Sequence, residues 1–204
     1  DLGQLCADSL LEAQSHTPQM RQIMQDFASA VDGKIVGFIE RVKGLQDANY
    51  RKKIKTTVAE VTPRQIRDVY ALTGIDTTGF HHTLSGGALQ HIDKRPGANG
   101  QADHSMADSA NIARVGYVLD NYDSVELLYN KDGTIATSAE HKNSDGSAAA
   151  LLRFIKRVDG HYYVVEAVPD SKAQQMAIVT LYQIKAKPTG SADQVLTMPK
   201  ARSG

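Results

Sequence analysis

The sequence predicts an α+β fold in which N-terminal helices are followed by an antiparallel sheet of four to five strands. Apolar residues recur at helical spacing as far as Gly74, and from Ser124 onward the spacing shortens to two. Asp159-Gly160, flanked on both sides by β-branched and aromatic residues, marks a hairpin inside the second region. The chain divides into a helical segment over 1–60, an α+β domain over 61–186 and a loosely ordered tail over 187–204. The tail holds Pro188, Gly190, Ser191 and Pro199 with little periodicity.

In chain order, Thr17-Pro18 suits a helix start: the Thr oxygen serves as N-cap and Pro fills the first turn. Met20, Ile23, Met24, Phe27 and Val31 follow on one stripe. Gly33 interrupts, and Ile35, Phe38, Ile39, Val42 and Leu45 resume the pattern. Arg51, Lys52, Lys53 and Lys55 form a basic stretch read as a solvated face. Thr62-Pro63-Arg64-Gln65 has the form of a capping box, and Gly74 is placed to end the helix that it begins. Ser85 caps a short helix carrying Leu89, His91, Ile92 and Arg95, which Pro96-Gly97 stops. Met106 to Leu119 is a further helix.

Val125 to Tyr129 and Thr134 to Thr137 read as strands joined by turn residues, and 139–147 as a polar loop. Leu151–Val158 and His161–Val168 are the arms of the hairpin, with Gly160 taking the positive φ. Met176–Ile184 is the closing strand. Simple alternation places Ile178, Thr180, Tyr182 and Ile184 on one face of it.

Composition narrows the function. The 204 residues carry 23 Lys+Arg against 23 Asp+Glu, so net charge is zero and offers no broad electrostatic grip on nucleic acid, though a local basic cleft is compatible with it. A single cysteine, Cys6, excludes a disulfide-stapled module and reads as a buried, inert thiol. No apolar run reaches the roughly 18–20 residues of a membrane span, and no signal peptide is visible at Asp1-Leu2-Gly3-Gln4. The missing initiator Met is expected of a piece of a longer or processed polypeptide. Dinucleotide, P-loop, serine-hydrolase and His-Glu-x-x-His signatures are absent from the sequence. His81-His82, His91, Asp103-His104 and His141 show no ligand spacing, so neither a metal nor another cofactor is expected.

The chemistry-bearing residues gather in two places. His91 and Arg95 lie four apart on one helix face, with Asp103-His104-Ser105 close behind. Imidazole and guanidinium together suit phosphodiester cleavage, the first moving a 2′-hydroxyl proton and the second holding the charged phosphorane. Thr180 and Tyr182 place two hydroxyls side by side on the last strand, and Lys156 and Tyr162 lie across the Asp-Gly hairpin.

Several blocks occur in order: His91-Ile92-Asp93-Lys94-Arg95-Pro96-Gly97, Ala102 to Asp108, Ala113 to Asp123, Tyr162 to Ser171 and Val179-Thr180-Leu181-Tyr182. Across roughly residues 60 to 185 the chain resembles the phage-associated nuclease domains grouped with barnase, EndoU, colicin and RelE-type ribonucleases (the BECR fold). The resemblance implies helices followed by a four-stranded antiparallel sheet. It also implies metal-independent RNA cleavage, often as a toxin matched by an immunity protein, at the C-terminal end of a large phage or mobile-element polypeptide. Where the family pattern has Arg-His-Gly, this chain has Arg95-Pro96-Gly97, which removes a candidate acid–base group.

The leading expectation is a toxin-like endoribonuclease that acts in the bacterial cytoplasm on RNA, tRNA being one candidate. His91 and His104 handle protons and Arg95, Thr180 and Tyr182 complete the catalytic set. Lys156, Ser105 and Tyr162 bind substrate. The alternative is a catalytically inactive nuclease-like module that binds RNA or a protein. A third reading, nucleotide pyrophosphokinase, rests only on the order Arg41-Val42-Lys43-Gly44, Arg51-Lys52 and Arg67-Asp68.

Overall fold

The computed structural model describes residues 17–94 and 105–186; Cys6, Arg95, Pro96, His104 and the 187–204 tail lie outside the described residues. Local sequence chemistry starts most of the helices. Helix α1 (Pro18–Ser29) begins at Thr17, whose side chain accepts the Met20 N–H. Helix α2 (Gly33–Gly44) begins at Asp32, whose carboxylate accepts the Lys34 N–H, and buries Ile35, Phe38, Ile39 and Val42. The basic stretch is itself a short helix, α3 (Ala48–Lys53), capped by Asp47. Helix α4 (Pro63–Thr73) has the predicted capping box: Thr62 Oγ1 accepts the Gln65 N–H and Gln65 Oε1 accepts the Thr62 N–H, both at 3.2 Å. Gly74 ends α4 at φ 73°, a left-handed conformation that costs glycine little. Ser85 caps α5 (Gly86–Asp93).

The predicted 106–119 helix is instead two, α6 (Ser109–Ala113) and α7 (Val115–Asp120). The chain departs from helical geometry at Arg114 (φ −87°, ψ 3°), where the guanidinium donates to Asn111 Oδ1 and to the Ala28 carbonyl at the end of α1.

The sheet departs further from expectation. Strands β1 (Lys55–Glu60) and β2 (His81–Ser85) come from sequence read as helical or connecting. They join β3 (Ser124–Leu127), β6 (Leu152–Val158), β7 (His161–Asp170) and β8 (Gln175–Lys185) in the order β1-β2-β8-β7-β6-β3. The sheet is therefore six-stranded and mixed, not a four- to five-stranded antiparallel one, because β2 runs parallel to β8. A separate arm pairs β4 (Thr137–Lys142) with β5 (Ala148–Ala150), so part of the predicted 139–147 loop is strand. At the β6–β7 hairpin the positive φ (54°) falls on Asp159, one of the few non-glycine residues that tolerate it.

One face of the sheet packs on the helices. Leu152, Phe154, Val165 and Met176 share a core with Phe27 of α1 and Ile35 of α2, so the N-terminal helices and the sheet bury one continuous apolar cluster. The register shift between Glu166 and Ala167 leaves Val179 as an extra residue in β8. That bulge sends Ile178 into the helix-side core, while Thr180 and Tyr182 point to the other face. Ile178 was expected to share their face; the extra residue reverses its side.

Candidate active site

The face away from the helices carries two apolar clusters with a polar band between them. One cluster holds Leu128, Ala149, Leu151, Val168 and Ala177 beside the β4–β5 arm. The other holds Ile155, Tyr162, Val164, Tyr182 and Ile184. Between them the strand register aligns Glu126 (β3), Arg153 (β6), Glu166 (β7) and Thr180 (β8) in a single row. Residues directly opposed in a sheet project to the same side, so the row is a consequence of pairing alone. Arg153 is 5% exposed, and Glu166 and Thr180 are 0% exposed. Arg153 Nη1 donates to Glu126 Oε1 at 3.1 Å. The Thr180 hydroxyl has no hydrogen-bond partner among the described residues. A buried hydroxyl without a partner costs stability, so its persistence asks for a functional reason.

At the end of the same face, Asp170 accepts from the Ala173 N–H and lies 2.9 Å from His141 Nδ1. Burial pushes the Asp170 carboxyl up, but the Ala173, His141 and Gln175 hydrogen bonds, with the His141 charge, together hold it below the ordinary carboxylate range. Gln175 Oε1 accepts from Thr83 Oγ1 at 2.9 Å and from Lys55 Nζ at 2.8 Å.

The predicted residues divide as follows. Thr180, Tyr182 and Tyr162 share the face, Tyr162 lying beneath the Arg157 guanidinium at 6.0 Å from its ring centre. Ser105 sits at the outer edge of β8: β2 pairs only with Gln175–Ala177, and beyond that point Ser105 Oγ accepts the Gln183 N–H at 3.3 Å. His91 is exposed in the last turn of α5, which packs along β8. Lys156 points to the opposite, helix-packed side and donates to Asp123 Oδ1 at 3.0 Å. Register explains the separation of the two hairpin candidates, because Lys156 pairs with Tyr163 and Tyr162 with Arg157.

Arg153 and Glu166 were missed in the sequence. Their signal was present: a lone charge inside Leu152-Arg153-Phe154 and another inside Val165-Glu166-Ala167, both in otherwise apolar strands. His82 carries no such role. It is fully buried on the helix side, its Nε2 lies 2.7 Å from Gln65 Oε1, and burial lowers its pKa to about 4, so it stays neutral. Among the described residues no group of three or more His, Cys, Asp or Glu could hold a metal ion, and no helix is long and apolar enough to cross a membrane.

Helices on one face of a mixed six-stranded sheet, with a carboxylate, a guanidinium and a hydroxyl buried in one row on the other, make this an α+β domain. Residues 59–190 match the family described as phage-Barnase-EndoU-ColicinE5/D-RelE like nuclease3, and the chain belongs to that family. No curated protein and no solved structure matches it.

Proposed function

We propose that this chain is a metal-independent endoribonuclease of toxin type, with Arg153, Glu166, Thr180 and Tyr182 acting from the sheet face away from the helices and His91 contributed from α5 beside β8. The observation that carries the reading is the alignment of Arg153, Glu166 and Thr180 across three adjacent strands, with the Thr180 hydroxyl left without a described partner. In this reading Glu166 takes the proton from a ribose 2′-hydroxyl as that oxygen attacks phosphorus. The P–O5′ bond breaks, and His91 or His104 returns a proton to the leaving oxygen. Arg153 with Arg95 balances the phosphorane charge, and Thr180 and Tyr182 donate to its oxygens. The products are a 2′,3′-cyclic phosphate and a free 5′-hydroxyl. The same reading places the action in a bacterial cytoplasm, with a cognate immunity protein as partner.

A second reading has specific support. Arg153, Glu166 and Thr180 are buried, so RNA does not meet them without local rearrangement, and Pro96 follows Arg95 where the resemblance implies a His. Both features favour a catalytically inactive module that binds RNA or protein. Incubating the purified chain with labelled RNA in EDTA decides between them. Cyclic-phosphate ends that disappear in Glu166→Gln support the enzyme. Intact RNA with both the native chain and Pro96→His overturns it in favour of binding alone.

A further inference from the structure

The net charge of zero hides a strong segregation. Residues 41–55 hold six cations, Arg41, Lys43, Arg51, Lys52, Lys53 and Lys55, against the single carboxylate of Asp47. All but Arg51 are exposed, and Lys52 and Lys53 make no ion pair among the described residues. The cations do not lie on a loose loop. Arg51 Nη1 donates to the Leu45 carbonyl, and a side chain at Gly86 would meet the Arg51 carbonyl oxygen at 1.8 Å, so α3 is seated directly on the start of α5. Tyr50 is 47% exposed among these charges, with Arg41 Nη2 at 3.3 Å from its hydroxyl. Beside Lys43 and Arg51 lies a cavity of about 250 Å³ with Ile39, Leu89, Ile92 and Met106 in its apolar wall and Lys43, Arg51 and Asp93 as the charged groups of its lining. Lys55 continues the track onto the sheet, where its ammonium reaches Gln175 beside Asp170 on the face away from the helices.

Clustered cations, an exposed aromatic ring and an apolar recess are the parts of a single-strand nucleic-acid site: phosphates meet the charges while bases stack or insert. We propose that the α2–α3 surface is a docking site for single-stranded RNA, which takes a base into the cavity and leads the strand past Lys55 toward the Glu166–Thr180 row. The proposal rests on the ribonuclease reading for the destination of the strand, but the docking surface stands on charge and shape, and its cations lie before the residues matched by the family while most of the cavity wall lies within them.

The test uses the full chain and a fluorescent single-stranded RNA with 2′-O-methyl sugars, which cannot undergo attack by the 2′-oxygen. Binding is followed by anisotropy across a salt series. The double variant Lys52→Gln, Lys53→Gln should bind about tenfold more weakly, and its log K against log salt slope should shrink by about 1.4, roughly 0.7 per lost phosphate contact. Ala107→Trp, which fills the cavity from an exposed position, should weaken binding without changing the slope. Unchanged affinity and slope in the Lys variant would overturn the proposal. So would binding of a polyglutamate probe, but not of the RNA, that depends on the same lysines, because it assigns the surface to an acidic protein. Since the probe cannot be cut, the outcome is independent of whether the native chain cleaves ordinary RNA.

Discussion

Glu166 and Thr180 stand directly opposite each other on β7 and β8, and neither exposes any surface to solvent. Two polar side chains at the centre of a sheet, one of them a carboxylate, oppose stability unless neighbours compensate, and Arg153 is the cation next in line. The row therefore invites separate tests of function and folding.

Thr180→Val removes the hydroxyl and keeps the shape. Because that hydroxyl lacks a described partner, the variant should be as stable as the native chain or more stable, by about 1 kcal/mol in urea unfolding. RNA cleavage should fall at least about tenfold, since one donor to the phosphorane is lost. Equal cleavage with raised stability would make Thr180 a packing residue only.

Glu166→Gln retains size and hydrogen-bonding capacity but not basicity. Single-turnover cleavage should drop by about 10²–10⁴, with the alkaline side of the pH profile preserved and the circular dichroism spectrum unchanged. A loss that tracks only a fall in stability would remove Glu166 from the chemistry.

Arg153→Met leaves Glu166 buried without its neighbouring cation and frees Glu126 from its 3.1 Å partner. Destabilisation of about 3–5 kcal/mol is expected at pH 7 in denaturant titrations. The double variant with Glu166→Gln should recover part of it, and an additive double variant would show that the two do not interact.

Gly86→Ala places a methyl group 1.8 Å from the Arg51 carbonyl oxygen, backbone that cannot rotate aside. Pushing α3 away from α5 should cost about 3 kcal/mol, or about 6–12 °C in Tm for a chain of this size. Calorimetry checks it, and an unchanged Tm would mean that α3 shifts freely.

His82 sets a pH dependence. Its pKa is about 4 in the fold against an ordinary 6.5, so between these values the unfolded chain binds the extra proton. The stability associated with neutral His82 is complete above pH 6.5 and declines as pH falls toward 4, by about 3 kcal/mol in all. The difference in stability between the native chain and His82→Gln should narrow over that window, and a constant difference would contradict the buried neutral state.

What the sequence made legible was mostly local. Thr17, Thr62, Gly74 and Ser85 act within one helical turn of themselves, so their capping roles could be read from neighbouring residues. β1 escaped because Lys55-Thr56-Thr57-Val58-Ala59-Glu60 is short and follows a helical pattern, and its strand character depends on β2, more than twenty residues away. The row of Arg153, Glu166 and Thr180 depends on registers between strands and on the Val179 bulge, which no single stretch encodes. Thr180 and Tyr182 were identifiable as neighbours within one strand; their partners on β6 and β7 were not. Lys156 and Tyr162 fall on opposite faces for the same reason, since one residue of register separates the two sides.

The position of β8 has a consequence for synthesis. It is the final strand of the described chain, yet it lies between β2 and β7 and so holds the two halves of the sheet together. A ribosome must release Thr180 and Tyr182 before the first-made strands can be bridged, and until then neither half possesses the complete row. A chain interrupted before Gln175 would leave two unjoined edges and no assembled row, so whatever the row does is deferred until translation has passed this strand.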